Sequence, residues 1–139
     1  MSAMVDSLRE VPLFAEVSDR DLRRLAESMH ERTYDAGQDV MSEGQSGVGF
    51  FVVLDGTAQV SVGGEARGSL GPGDHFGEMA LLEATQRTAT VTAGEGLRCA
   101  AMTAWTFRPF VKDHPDVAWA LLKSLARRVR EAQAPRAQV

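Results

Sequence analysis

Apolar positions follow two different periods along the chain, and the change of period divides it into three parts. After Ser18, apolar residues recur at the spacing of an amphipathic helix, at Leu22, Leu25 and Met29. Ser18 with Asp21 has the form of a capping box, and Val17 with Leu22 has the spacing of a hydrophobic staple. The pattern therefore predicts a helix over residues 19–29.

Short β-favourable runs replace the helical spacing between about residue 30 and residue 102. Glycines separate the runs, and Gly63-Gly64 has the form of a two-residue hairpin turn. Several short strands with regularly spaced turns are typical of a sandwich or barrel. The predicted strands cover residues 30–34, 39–41, 49–54, 58–62, 66–70, 88–92 and 97–102.

Helical spacing returns after residue 102. One predicted helix runs to Asp113 and has two alternative caps, Thr103 and Thr106. If Thr106 is the cap, Pro109 falls in the first turn of the helix, where its missing N–H costs little. If Thr103 is the cap, Pro109 lies inside the helix, which predicts a kink.

A last helix is predicted from Pro115, a residue favoured in the first turn. Its predicted apolar face comprises Ala118, Leu121, Leu122, Leu125 and Val129. Cations near a helix end suit the helix dipole, and we interpret three of them as a solvated helix end: Arg127, Arg128 and Arg130. Residues 133–139 are expected to be a disordered tail. The order of elements indicates a mainly β protein, an antiparallel β-roll with flanking helices.

Composition narrows the class of protein. The 139 residues fit one domain, expected over residues 1–132. A net charge of -4 argues against a nucleic-acid surface. The lone Cys99 excludes a disulfide within the chain, indicates a reducing compartment and is interpreted as a buried strand residue. No signal peptide is recognisable and no apolar run approaches ~18 residues, so we expect a cytoplasmic protein without a membrane partner.

The candidate chemistry lies in residues 76–91. Gly77 permits a tight backbone, and residues 79–82 can form only a short helical turn before Thr85. The first N–H groups of such a turn suit an anion. Arg87 then enters a predicted strand, where it needs a partner because a buried unpaired charge is very costly. A phosphate resting on the turn would supply that partner.

This segment closely resembles the phosphate-binding cassette of the cyclic-nucleotide-binding domain family. The cassette pattern is Phe-Gly-Glu, small or aliphatic residues, a variable loop, and then Arg followed by small residues. Residues 11–14, 51–53 and 70–74 also match the family's pattern, and the final helices resemble its B and C helices. The resemblance implies a jelly-roll-like fold, a double-stranded β-helix with an N-terminal helix and C-terminal B and C helices.

The resemblance also implies a role for each matching residue. Glu78 would accept a hydrogen bond from the ribose 2′-OH, and Arg87 would pair with the cyclic phosphate. Backbone N–H groups of Gly77, Ala80 and Thr88 would complete the cradle. The predicted binding residues are Gly77, Glu78, Met79, Ala80, Arg87, Thr88 and Ala89. Cyclic AMP is expected over cyclic GMP because it is the commoner ligand of prokaryotic members, and no further cofactor and no catalysis are implied.

Two positions depart from the family pattern. Ala84 stands where many members carry glycine, and Gln86 stands where many carry proline. Both alter the loop before Arg87 without removing a ligand contact. Thr88, after the arginine, is compatible with either base. The resemblance places the lid over the base on the C helix, with Leu122 and Leu125 as candidates that could equally be core residues.

Other interpretations stay open at this stage. Glu78 could be solvated, or it could form a structural ion pair with Arg87. His75 and Glu78 could be two ligands of a cupin-like metal enzyme, although a metal site needs three or four; a single His75 is more simply a surface or rim residue. The chain could be an interaction module that has lost its ligand. A DNA-binding regulator would need a reading domain, and little sequence follows Val129.

The expected mechanism couples the cassette to the helices. Binding would pull the cassette inward with Leu81 and Leu82, which would change the packing of the B and C helices and of the segment around Phe14. The C-terminal helix could then contact an effector protein or a second copy of the chain.

Overall fold

The computed structural model describes residues 3–45, 47, 49–81 and 86–133. These residues form an antiparallel β-roll with helices at both ends of the chain, as predicted. The helices are α1 Ala3–Arg9, α2 Asp19–Glu27, α3 Ala104–Asp113 and α4 Pro115–Gln133. The strands are β1 His30–Thr33, β2 Asp39–Met41, β3 Gly49–Asp55, β4 Ala58–Val62, β5 Glu65–Leu70, β6 His75–Phe76, β7 Thr90–Ala93 and β8 Arg98–Thr103. Two 3₁₀ turns cover Pro12–Phe14 and Glu78–Leu81.

The strands form two four-stranded sheets, ordered β1-β8-β3-β6 and β2-β7-β4-β5. All six pairs of neighbouring strands in these sheets are antiparallel. The turn between β4 and β5 is Gly63-Gly64, with φ of 59° and 81°. A two-residue turn with two positive φ angles matches the twist of a hairpin, which explains why glycine occupies both positions.

The start of α2 is fixed by its cap. The Asp21 N–H donates to Ser18 Oγ at 3.2 Å, and Val17 and Leu22 are both buried. The predicted cap is therefore confirmed, together with the burial of both staple residues. The helix ends at Glu27, two residues before the predicted end.

Strand β3 alternates between two apolar regions because both of its faces are covered. Phe50, Val52 and Leu54 belong to a cluster with the helices, called here the helix-side core. Val53 belongs to a second cluster between the sheets, the roll interior, which also contains Phe76, Val91 and Cys99. The predicted burial of Cys99 in a strand is confirmed, and burial raises the pKa of its thiol to about 12.

Aromatic rings fill the centre of the helix-side core. Phe107 of α3 stacks on Phe50 of β3, with ring centroids 4.3 Å apart. Phe14 meets Phe107 edge to face at 6.3 Å. All three side chains are fully buried. The rings thus join the N-terminal 3₁₀ turn, the sheet and α3 in one packed unit.

A histidine bridges the helices at the junction of α3 and α4. His114 Nε2 lies 3.0 Å from Asp21 Oδ2 of α2, and Nδ1 lies 2.8 Å from the Phe110 carbonyl oxygen. Burial alone would lower the pKa of His114, but the hydrogen bond to Asp21 and the carboxylate charges raise it. The hydrogen bond from His114 lowers the pKa of Asp21.

Of the two alternative caps of α3, Thr103 is the one observed, and Pro109 lies inside that helix. Other local features differ from the predictions. Helix α1 was not anticipated, and it buries Val5 and Leu8. The strand predicted over residues 88–92 begins at Thr90, so Arg87 precedes it.

The predicted apolar face of α4 is correct at Leu121 and wrong at Leu122 and Val129. Val117 and Leu121 are buried, whereas Leu122 and Val129 are 54% and 55% exposed. The helix is therefore turned so that residues 117, 121 and 128, which share one face, point to the roll. The predicted tail 133–139 begins at the last residue of α4, and residues 134–139 lie outside the described part.

No helix in the described ranges is both long and apolar enough to cross a membrane.

Candidate functional site

A cavity of about 630 Å³ lies beside the cassette segment, and we call it the cassette cavity. Its volume lies within the usual range for small-molecule sites, about 300–1,000 Å³. One wall comes from the two sheets, one from the cassette and one from the end of α4. The lining residues are Met41, Gly47, Val60, Val62, Arg67, Gly68, Ser69, Leu70, Phe76, Gly77, Glu78, Met79, Gln86, Arg87, Thr88, Ala89, Val91, Arg128 and Glu131.

Strand β6 delivers the chain to the cavity. Phe76 pairs with Phe51 of β3, and their rings stack at 4.7 Å. The next residue, Gly77, has φ +89°, and a Cβ there would lie 2.3 Å from the Gly49 carbonyl oxygen. Only glycine fits this position, because any side chain would meet that backbone oxygen. The predicted tight backbone at Gly77 is therefore present.

Glu78 begins the second 3₁₀ turn, and its carboxylate is almost completely buried. The side chain is 1% exposed, Oε1 is in ion-pair contact with Arg128 Nη1, and Oε2 lies 3.7 Å from His75 Nδ1. Burial alone would raise the pKa of the Glu78 carboxyl. The nearby His75 ring and the positive charge of Arg128 outweigh burial and lower it. Glu78 thus remains a carboxylate inside the protein.

Two alternatives for Glu78 are excluded by this geometry. The residue is not solvated, and its arginine partner is Arg128 rather than Arg87. His75 is not a simple surface residue either, because its side chain is only 12% exposed and faces the carboxylate.

Arg87 is held through its backbone and its side chain. Its N–H donates to the Gln45 carbonyl at 2.8 Å, and its carbonyl accepts from the Gly44 N–H at 2.9 Å. Its Nη2 donates to the Gly49 carbonyl at 3.0 Å. A Cβ at Gly47 would lie 2.6 Å from Arg87 Nε, so the guanidinium rests against a glycine.

The charge of Arg87 has no acidic partner among the described residues. Burial lowers the pKa of its guanidinium, and the charge of Glu78 partly opposes this effect. Three arginines and two glutamates line the cassette cavity, which leaves an excess of one positive charge. The cavity therefore suits an anion.

The structure brings most of the predicted binding residues together. Lining the one cavity are Gly77, Glu78, Met79, Arg87, Thr88 and Ala89. Ala80 belongs to the same 3₁₀ turn as Glu78 and Met79. Residues 82–85, which include Ala84 and Leu82, lie outside the described part of the chain, whereas Gln86 lines the cavity.

Sequence reasoning missed the contribution of α4. Arg128 was assigned to a solvated helix end, and the base-lid candidates Leu122 and Leu125 do not line the cavity, whereas Arg128 and Glu131 do. A signal was present, because Arg128 follows the buried Leu121 by seven residues and so lies on the same helix face.

The metal-site alternative finds little support. His75 and Glu78 do lie together, but no group of three or more His, Cys, Asp or Glu side chains in the described ranges could hold a metal ion. Structural metal sites require about four ligands, and catalytic ones about three.

Comparison with known proteins gives the family. A family model for the cyclic nucleotide-binding domain matches residues 31–114, more than half of the chain. Over 98 residues the chain is 41% identical to a cAMP-dependent protein kinase regulatory subunit of Eremothecium gossypii. That alignment covers 70% of this chain and 21% of the relative. The chain thus spans about a fifth of the length of this relative and of a similar subunit from Mycosarcoma maydis.

Solved structures share the fold. The N-terminal domain of a transcriptional regulator from Streptomyces coelicolor A3(2) is 31% identical, with a TM-score of 0.71 and coverage of 96% of this chain and 99% of that one. The cAMP-bound PfPKA-R fragment 141–441 has a TM-score of 0.81 at 23% identity, covering 95% of this chain and 47% of that one. The match of the family model over residues 31–114 shows that the chain belongs to the cyclic nucleotide-binding domain family.

Proposed function

We propose that this chain binds cyclic AMP in the cassette cavity and acts as a non-catalytic regulatory module. The observation that carries the proposal is the half-buried Arg87 guanidinium, which has no acidic partner among the described residues and lines a cavity with an excess of positive charge. A partly desolvated cation gains free energy from an anion that reaches it. The cyclic phosphate is that anion.

The buried carboxylate supplies the second contact. Glu78 lines the same cavity and, as an ionised acid, can only accept hydrogen bonds. A ribose hydroxyl donates one, so Glu78 takes the 2′-OH while Arg87 takes the phosphate. Backbone N–H groups of Gly77, Ala80 and Thr88 complete the cradle, with Met79 and Ala89 beside it.

Cyclic AMP is preferred over cyclic GMP for one reason. The kinase regulatory subunits that the chain resembles, at 40% and 41% identity, are named for cyclic AMP. Thr88 at the cavity adds no preference, because a hydroxyl can accept from or donate to either base.

Calorimetric titration tests the site. Wild-type protein is expected to bind cyclic AMP with a micromolar dissociation constant, about 8 kcal/mol. Arg87→Ala removes one charge-assisted contact and should weaken binding by about 10- to 150-fold, or about 1.5–3 kcal/mol. Arg24→Ala is the matched control, because it removes the same charge from an exposed position on α2, outside the cavity lining.

Each outcome bears on a different part of the proposal. Equal affinity in wild type and Arg87→Ala would overturn the site. Tighter binding of cyclic GMP than of cyclic AMP would overturn the base preference. If wild type binds neither nucleotide, the proposal fails and the interaction-module alternative takes its place.

Ligand binding also repositions the C-terminal helix in this proposal. Support comes from Arg128 and Glu131, through which α4 forms part of the cavity wall. A ligand that alters these contacts has different affinities for two positions of α4, which is the condition for shifting the helix. Unchanged amide spectra of α4 during a cyclic AMP titration would contradict the coupling.

A contact with a protein partner through α4 is the second part of the proposal. Trp119, Leu122 and Val129 are large apolar residues of α4 that lie exposed. The partner is an effector protein or a second copy of this chain, and the mass of the protein in solution distinguishes the two.

We infer a cytoplasmic protein, consistent with its lone buried thiol, and a single domain over residues 1–132.

A further inference from the structure

Arg128 links α4 to the cassette through Glu78. Its Nη1 is in ion-pair contact with Glu78 Oε1, and its Nη2 lies 3.4 Å from the His75 carbonyl oxygen. Glu78 is thus bound by a residue 50 positions later in the chain. Arg128 also lies outside residues 31–114, the part matched by the family model.

The two members of this ion pair differ in exposure. The Arg128 side chain is 46% exposed, whereas the Glu78 side chain is 1% exposed. Moving Arg128 into water therefore costs little, but leaving Glu78 without a partner costs the penalty of a buried unpaired charge. Glu78 needs a partner at all times, and Arg128 is the partner that can leave.

Arg128 borders two cavities of the protein. It lines the cassette cavity and also a second cavity of about 520 Å³ between α4 and the segment before β6. Arg128 is thus shared by the two cavities, and its guanidinium contacts Glu78 Oε1. A ligand hydroxyl that reaches Oε1 meets this guanidinium.

We propose that Arg128 competes with the ligand's hydroxyl for Glu78, so that the end of α4 is held at the cassette in the empty site and hydroxyl binding releases it. The inference rests on the proposed function, in which Glu78 accepts a hydroxyl of the nucleotide. The apparent affinity of wild type is then lowered by the fraction of molecules in which Arg128 holds Glu78. Arg128 thus sets both affinity and the position of α4.

The direction in which nucleotide affinity changes when Arg128 is removed distinguishes competition for Glu78 from a role in which Arg128 helps to bind the ligand. Arg128→Ala leaves Glu78 unpaired in the empty protein, so a ligand that satisfies Glu78 binds about three- to tenfold more tightly. Arg128→Lys keeps the charge and should return the affinity towards wild type. Arg130→Ala, on the same helix and without an ion pair among the described residues, should bind as wild type does.

A ligand that lacks the 2′-hydroxyl tests whether this hydroxyl is the group that competes with Arg128. The 2′-deoxy analogue of cyclic AMP has nothing to offer Glu78, so Arg128→Ala should leave its affinity unchanged. Isothermal titration of both ligands against wild type, Arg128→Ala and Arg130→Ala measures the difference. Weaker or unchanged binding of cyclic AMP by Arg128→Ala would overturn the competition, as would equal tightening of both ligands.

A ligand-free measurement separates this inference from the proposed function. Amide hydrogen exchange at residues 126–133 should be faster in empty Arg128→Ala than in empty Arg130→Ala, because only the first loses the contact with Glu78. Equal exchange would overturn the inference even if cyclic AMP binds. Absence of nucleotide binding by wild type, with faster exchange in Arg128→Ala, would instead locate the failure in the proposed function.

Discussion

Strand β3 serves two regions of opposite character. On one face, Phe50 and Val52 pack into the helix-side core, which consists of buried apolar side chains. At its start, the Gly49 carbonyl contacts the cassette, where Glu78 is the one fully buried polar residue among those described. The first region resembles the interior of any stable protein, and the second contains a carboxylate that is buried away from water.

The difference shows where stability and function reside. An ion pair with one buried member contributes little net stability, because the cost of removing the Glu78 charge from water offsets its attraction to Arg128. Stability therefore depends on the helix-side core. The buried carboxylate of Glu78 is instead explained by the ligand hydroxyl that it is proposed to bind. Three substitutions, in order of expected effect, test this division.

Phe107→Ala is expected to have the largest effect on folding. Phe107 is fully buried and stacks on Phe50, so truncation leaves a cavity and costs about 3–5 kcal/mol of unfolding free energy. Urea denaturation measures the loss. Trp105→Ala, an exposed aromatic residue of the same helix, should cost no more than about 0.5 kcal/mol. Similar losses for the two variants would show that the helix-side core does not dominate stability.

Gly77→Ala should damage the cassette more than the fold. The new Cβ would lie 2.3 Å from the Gly49 carbonyl oxygen, which also accepts from Arg87, so relief of the clash moves the acceptor of the guanidinium. Expected losses are about 1–3 kcal/mol of stability. Nucleotide affinity should fall by about tenfold or more, the worth of one charge-assisted contact.

Gly37→Ala is the matched control for that variant. Gly37 has φ +91°, close to that of Gly77, but a Cβ there meets nothing within 4 Å. It should lose about 1–2 kcal/mol of stability from backbone strain and keep its nucleotide affinity. If both variants lose affinity equally, strain rather than close approach explains the effect of Gly77→Ala. Thermal unfolding and titration of both proteins give the comparison.

His114→Gln should have the smallest effect, and one that depends on pH. The raised pKa of His114 means that its contribution is complete below about pH 6.5 and is lost as pH rises through the folded-state value. The lowered pKa of Asp21 means that its contribution is complete above about pH 4 and is lost on further acidification. The pair therefore stabilises the fold most between about pH 4 and 6.5.

Thermal unfolding at two pH values measures this contribution. His114→Gln should lower the melting temperature by no more than a few degrees near pH 5.5 and by less near pH 8.5, because the pair is partly exposed and solvent screens it. His30→Gln, which removes an imidazole from an exposed position of β1 and leaves the contact between His114 and Asp21 in place, is the matched control. A larger loss at the higher pH would contradict the assignment of charge to His114.

Features encoded by neighbouring residues were predictable from the sequence. The Ser18 cap, the Gly63-Gly64 turn and the tight backbone at Gly77 each depend on a few adjacent positions. The grouping of the cassette residues around one cavity also followed, since they lie within one segment. The altered loop around Ala84 falls among residues 82–85, and its expected effect on affinity stays a prediction.

Features that depend on how elements meet were not predictable in the same way. The rotation of α4 about its axis decides that Leu121 is buried and Leu122 exposed, and the apolar pattern alone allowed either. The same rotation brings Arg128 to Glu78. The two-residue strand β6 carries no periodicity of its own, because pairing with β3 defines it.

The buried thiol of Cys99 has a practical consequence. Thiol reagents attack the thiolate, and a pKa of about 12 leaves almost none of it at neutral pH. The chain contains one cysteine, so a cysteine introduced at an exposed site of α4 would be the one position that a maleimide dye labels quickly. A fluorophore placed there would report the movement of the helix in native protein, without first replacing the natural residue.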